Sequence, residues 1–144
     1  MKRNIWGLTI IQPWAAAIAL GPKRIENRTW RPSNRMLGEF IAIHAGKKVD
    51  TSWVTEAFIW DRRECEFDKD QIITSAVIAV AVLDSFITES TDPWFSGPVG
   101  WVLRDVVAIN PVPCSGKQGL WTLPPDVHEL VRSNYQRAKE GVTT

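Results

Sequence analysis

Between Gly21 and Pro32 the sequence GPKRIENRTWRP sets Lys23, Arg24, Arg28 and Arg31 beside a carboxylate (Glu26), an amide (Asn27) and an indole (Trp30). Cationic side chains neutralise phosphates, the sequence-independent source of most affinity for nucleic acid. Glutamate and asparagine suit the hydrogen-bonding edge of an unpaired base, and an indole stacks on a base face for about 1–3 kcal/mol. Lys23 and Glu26 are also candidates for proton transfer, hence for catalysis if the protein is an enzyme. A lysine desolvated in a cleft becomes a base as its pKa falls toward neutrality, and the carboxyl can relay a proton or activate water. The competing interpretation is a solvated charged hairpin whose Glu26–Arg28 pair, if exposed, is worth at most ~1 kcal/mol. Residue types alone leave both open.

Two other places offer cations near structure-ending residues. Lys47 and Lys48 follow the run IAIHAG, and Lys117 lies in PCSGKQGLW between glycines. Neither is a nucleotide-triphosphate loop, because around Lys117 the upstream glycine and the following Ser or Thr are missing. Lys117 remains a phosphate contact, and Trp101 joins Trp30 as a stacking candidate. His44 reads as a structural histidine near a strand end. Cys65, Cys114, His44 and His128 fit no ligand spacing, so neither a metal nor another cofactor is expected. No nucleophile elbow or His-containing triad motif occurs.

These residues need elements to hold them. Ile5 to Ile11 has strand character, and Pro13 can open a short helix from Trp14 to Leu20 that Gly21 closes. Arg24 to Trp30 alternates with period two, which sends Glu26, Arg28 and Trp30 to one face. Lys23 and Glu26, three apart, share a cleft only if Lys23 belongs to the turn after Gly21, which Pro22 favours. Gly38 to Ala45 is a second strand, 51–65 a helix, and the apolar run Ser75 to Leu83 a central strand. Val99 to Ile109 is a further strand ended by Pro111, and Leu120 to Leu123 is short and extended. A last helix, 124–140, carries an apolar stripe of Val127, Leu130, Val131 and Ala138. No repeat or linker divides residues 1–144, so one domain is expected: α+β, about six strands with flanking helices, arranged as a small barrel.

The net charge of +1 predicts no partner, but its distribution does. Residues 22–48 hold seven Lys or Arg against two Glu, and residues 49–70 hold seven acids against three cations. A local positive field can therefore sit on a nearly neutral molecule. Gln12 and Pro13 interrupt the apolar start, which argues against a secretion signal, and no run reaches the ~20 residues of a membrane span. Two free thiols suit the cytoplasm. Eight tryptophans against one tyrosine predict indoles along grooves as well as in the core.

The blocks LTIIQPWAAAIALGPKRIENRTW, IAIHAG and GPVGWVLRDVVAINPVPCSGKQGLW resemble the ASCH domain family, with its Q-P-[WY] and G-x-K-x-x-E-x-R-x-W spacing. The resemblance spans Leu8 to Trp121. It implies a PUA-like β-barrel with a cleft beside the first short helix, lined by Lys23, Glu26, Asn27 and Arg28. It also implies association with RNA or with modified bases. Some short relatives deacetylate N4-acetylcytidine with a K-x-x-T pair and a distant Glu; here Lys23 matches the lysine, but Glu26 stands where the threonine would be. Ribonuclease activity is reported for relatives, and no catalytic set for it maps onto this chain.

Three functions are thus in play. The first is a domain binding RNA or other single-stranded nucleic acid, holding a flipped or modified nucleotide with Lys23, Glu26, Asn27, Arg28, Trp30, Arg31, Lys47, Trp101 and Lys117. The second is a hydrolase acting on a modified nucleoside or RNA through Lys23 and Glu26. The third is a protein-interaction module anchored by tryptophans.

Overall fold

The computed structural model describes residues 3–50 and 72–141. Its elements are β1 (Ile5–Gln12), α1 (Trp14–Leu20), β2 (Ile25–Arg28), a 3-10 turn (Asn34–Met36), β3 (Phe40–Val49), β4 (Ala76–Ile87), β5 (Val99–Pro113), β6 (Leu120–Thr122) and α2 (Pro125–Lys139). The helix expected over 51–65 lies outside the described residues. The strands form one mixed sheet in the order β2-β5-β4-β3-β1-β6. Among the described residues β1 and β3 alone pair in parallel; the other ladders are antiparallel. This is the expected α+β arrangement.

The sheet is covered on both faces. Leu8, Ile10, Ile41, Ile43, Ala81 and Leu83 pack with Ala15 and Ile18 of α1. Ile5, Ala42, Val77 and Val80 pack with Val127, Val131 and Tyr135 of α2. Burial on both faces explains why β4 reads as an unbroken apolar run. The stripe on α2 differs from expectation at Leu130, which is 54 % exposed. Steps of four residues from Val127 pass through Val131 to Tyr135, and Leu130 falls to the side of that line. No helix among the described residues is long and apolar enough to cross a membrane.

One other expectation is corrected. β5 does not stop at Pro111, because Val77 pairs Val112 while Ala79 pairs Ala108. The extra residues form a bulge there, where a proline lacking its N–H is tolerated. Nor do the described strands pair into a closed barrel, since β2 and β6 end the order without a ladder between them. Instead Arg28 of β2 reaches β1 through its side chain, donating from Nη2 to the Thr9 carbonyl at 2.8 Å. The link between β2 and β1 is thus a side-chain contact across a seam, not a ladder.

Candidate functional site

The turn that brings Lys23 and Glu26 together begins at Gln12. Gln12 is fully buried; its Oε1 accepts from the Ala16 N–H at 2.9 Å and its Nε2 donates to the Ile73 carbonyl at 2.6 Å. The side chain thus satisfies a first-turn amide of α1 that the helix itself cannot. At the other end Gly21 is extended (φ −126°, ψ −167°), not left-handed as a terminating glycine would suggest. Arg24 closes this end: its Nη1 donates to the carbonyls of Ile18, Gly21 and Lys23 at 3.3, 3.0 and 2.8 Å. The Lys23 amide bonds back to Ala17 at 3.2 Å, so Lys23 lies in the turn before β2.

Lys23, Glu26 and Arg28 meet in one cavity of about 510 Å³, which Thr9, Ile11, Trp14, Asn27, Trp94 and Phe95 also line. Lys23 is 3 % exposed; its Nζ donates to the Ile25 carbonyl and lies 5.6 Å from the centroid of the Trp94 ring. Glu26 Oε2 is 3.1 Å from Arg28 Nη2. Burial raises the Glu26 pKa above its ordinary value; the charges of Lys23 and Arg28, and the hydrogen bond from Arg28, pull it back only in part. Arg28 Nε is buried with no hydrogen-bond partner among the described residues. The cavity therefore combines aromatic walls, a carboxyl whose pKa burial raises, and cationic donors. Such a set can hold a flat heteroaromatic ring by its faces and its polar edge.

The other predicted residues are distributed differently. Asn27 donates from Nδ2 to the Trp94 carbonyl at 3.0 Å, and its Oδ1 accepts from Ser96 and Gly97 at 2.9 and 3.1 Å. With both ends of the amide used, it shapes the wall and does not read a base. Trp101 is fully buried on β5 between β2 and β4, so it cannot serve as a stacking platform. It braces Trp30 instead: the rings meet edge-to-face at 4.7 Å and 89°, and Trp101 Nε1 donates to the Trp30 carbonyl at 3.0 Å. Trp30 keeps 41 % exposure. Arg31 packs over Phe86 at 5.3 Å and lines neither this cavity nor the next.

Lys47 and Lys117 belong to a second cavity of about 900 Å³, with Arg28, Trp30, His44, Lys48 and the loop Ser115 to Gly119. The two cavities share Thr9, Ile11 and Arg28. His44 is 1 % exposed and sits 2.8 Å from the Cys114 carbonyl through Nε2 and 3.2 Å from Thr9 Oγ1 through Nδ1. A carbonyl only accepts, so Nε2 carries the proton and Nδ1 accepts from the Thr9 hydroxyl. Thr9 Oγ1 in turn accepts from Trp121 Nε1 at 3.2 Å. His44 is thus a satisfied structural residue, and it ties the 115–119 loop to β1.

The ASCH domain profile matches residues 8–97. The chain belongs to the ASCH domain family, within the PUA-like superfamily. Among solved structures, this ASCH domain is similar to ASCH from Zymomonas mobilis, with a TM-score of 0.56 and 18 % identity over 92 % of this chain and 96 % of that one. Two mutant forms of that protein align equally well, with TM-scores of 0.55 and 0.56. At this identity the likeness speaks for the fold. None of the curated proteins compared matches the chain. Sequence reasoning missed Thr9, Trp14, Trp94 and Phe95 as lining residues of this ASCH domain. A signal was present for the last two, an aromatic pair after Pro93 in an otherwise polar loop.

Proposed function

We propose that this ASCH domain binds single-stranded nucleic acid, RNA foremost, by taking one unpaired or flipped base, modified bases included, into the 510 Å³ cavity. The observation that carries this reading is the convergence of Lys23, Glu26 and Arg28 with Trp14, Trp94 and Phe95 on one concave site. The half-buried rings of Trp14 and Phe95 offer surfaces against which a base stacks, and Trp94, buried with Ala17 and Ile25, backs that wall. Glu26 meets the polar edge, and Lys23 and Arg28 supply donors to ring or phosphate oxygens. The seam between β1 and β2 is the entrance, which makes the sheet an opened counterpart of the PUA-like barrel. Titration of labelled single-stranded RNA at two salt concentrations tests this. Binding that weakens with salt supports the reading; micromolar or weaker binding with no salt slope overturns it.

The hydrolase reading is favoured by one observation, the burial of Lys23 beside a carboxyl of raised pKa. The Thr9 hydroxyl lines the same cavity but is engaged by His44 and Trp121, which leaves Glu26 to move the proton. Incubation with acylated cytidines and with RNA, beside Lys23→Ala, decides it: turnover that the variant lacks supports hydrolysis, and no turnover removes it.

A further inference from the structure

The 900 Å³ cavity is a separate structure with its own chemistry. Its described lining residues include Arg28, Lys47, Lys48 and Lys117 and no carboxylate, on a chain whose net charge is only +1. A solvated charged face would mix both signs, as the Asp84–Arg104–Asp105 cluster at the far end of the sheet does. The cations are also held on firm supports. Lys47 and Lys48 extend from the end of β3. Lys117 stands on a loop pinned by the His44–Cys114 contact of 2.8 Å. Gly116 seats that loop so closely that a Cβ there would lie 2.5 Å from Thr9 Oγ1 and 2.6 Å from His44. Trp30 closes the group with a half-exposed face backed by Trp101.

We infer that this second cavity is the track for the nucleotides adjoining the one held by its base, so that the ligand is an oligonucleotide strand and not a free nucleoside. The inference rests on the base-pocket reading. Lys47 and Lys117 take successive phosphates, and the free face of Trp30 stacks a neighbouring base. Arg28, which lines both cavities, stands where the backbone passes from one to the other. Among the described residues the three lysines lining this cavity share it with no carboxylate, which suits a polyanion's backbone, whereas the carboxyl and aromatic walls of the first cavity suit a base. No base edge is read in the second cavity, so it is indifferent to the sequence it carries.

The test compares a nucleoside 5′-monophosphate with single-stranded trinucleotides, as RNA and as DNA, on wild type and on Lys47→Gln with Lys117→Gln. Both lysines are exposed, so the double variant folds. The expected result is a trinucleotide bound at least ~10-fold more tightly than the monophosphate, a margin that one stacked base can supply. The double variant then flattens the log–log salt slope of trinucleotide binding by about 1.4, at ~0.7 per phosphate contact on a single strand. Equal affinity for monophosphate and trinucleotide, or an unchanged slope in the double variant, overturns the track and leaves the base pocket standing. If wild type binds neither ligand, the base-pocket reading falls, and the track with it. A charge-reversing pair, Lys47→Glu with Lys117→Glu, must deepen the loss; an affinity equal to wild type there also overturns the track.

Discussion

The two cavities touch at Thr9, Ile11 and Arg28 but are made of different materials. The first is walled by Trp14, Trp94 and Phe95 and contains Glu26, buried and biased toward protonation. The second is larger, and its described lining has four cations and one indole. A carboxyl among aromatic rings costs desolvation and repays it only by contacts of fixed geometry. Exposed lysines cost little and act through charge that salt screens. Selectivity should therefore reside in the first cavity and salt sensitivity in the second.

The sharpest way to break that division is Glu26→Gln. If the first cavity reads a base edge through a charge-assisted hydrogen bond worth about 1.5–3 kcal/mol, affinity for nucleoside and trinucleotide alike falls by roughly 10- to 150-fold. Calorimetry that finds the two ligands unaffected would remove Glu26 from recognition. Next in size, Asn27→Ala deletes the hydrogen bonds to Trp94, Ser96 and Gly97. Urea unfolding should show a loss of about 1–3 kcal/mol, and nucleoside affinity should fall while the salt slope of trinucleotide binding stays as in wild type. A changed slope would mean that the wall and the track are not separable. Trp30→Ala comes third: it should weaken trinucleotide binding by about tenfold and nucleoside binding much less, since it removes one stacked base.

The smallest effect is in pH. Glu26 has its folded-state pKa raised above the ordinary 4.5, chiefly by burial. Its contribution to stability is therefore present in full below pH 4.5 and is lost as pH rises through the folded value. Urea midpoints of wild type should decline across that window relative to Glu26→Gln. Parallel curves would show that the buried carboxyl costs nothing in the ionised form.

Local chemistry made much of the scaffold legible. The β-branched runs became β1, β3 and β4, and Pro13 opened α1 as its missing N–H allows. The polar stretch after Gly21 did hold the residues that gather at the seam. What escaped depends on contacts distant in sequence. Trp94 and Phe95 join Lys23 from some seventy residues away, carried by a loop that Asn27 holds. Trp101 looked like any other indole until β2 and β4 flanked β5 on both sides. Gly100, near the start of β5, is by type a poor strand residue. In fact a Cβ there would come within 2.9 Å of Ile25 and Phe95, so the bare backbone is what lets them pack. Bulges behave likewise, because Pro111 is tolerated through the register of β4, which no local pattern encodes.

β2 is four residues long, lies at the end of the sheet order and has β5 as its one ladder partner there. An edge strand so short can detach while β3, β4 and β5 stay paired, at a free energy below that of global unfolding. Its amide protons should then exchange with solvent well before those of β4. The segment bearing Glu26 and Arg28 would thus be able to yield when a bulky ring enters, and to reclose behind it.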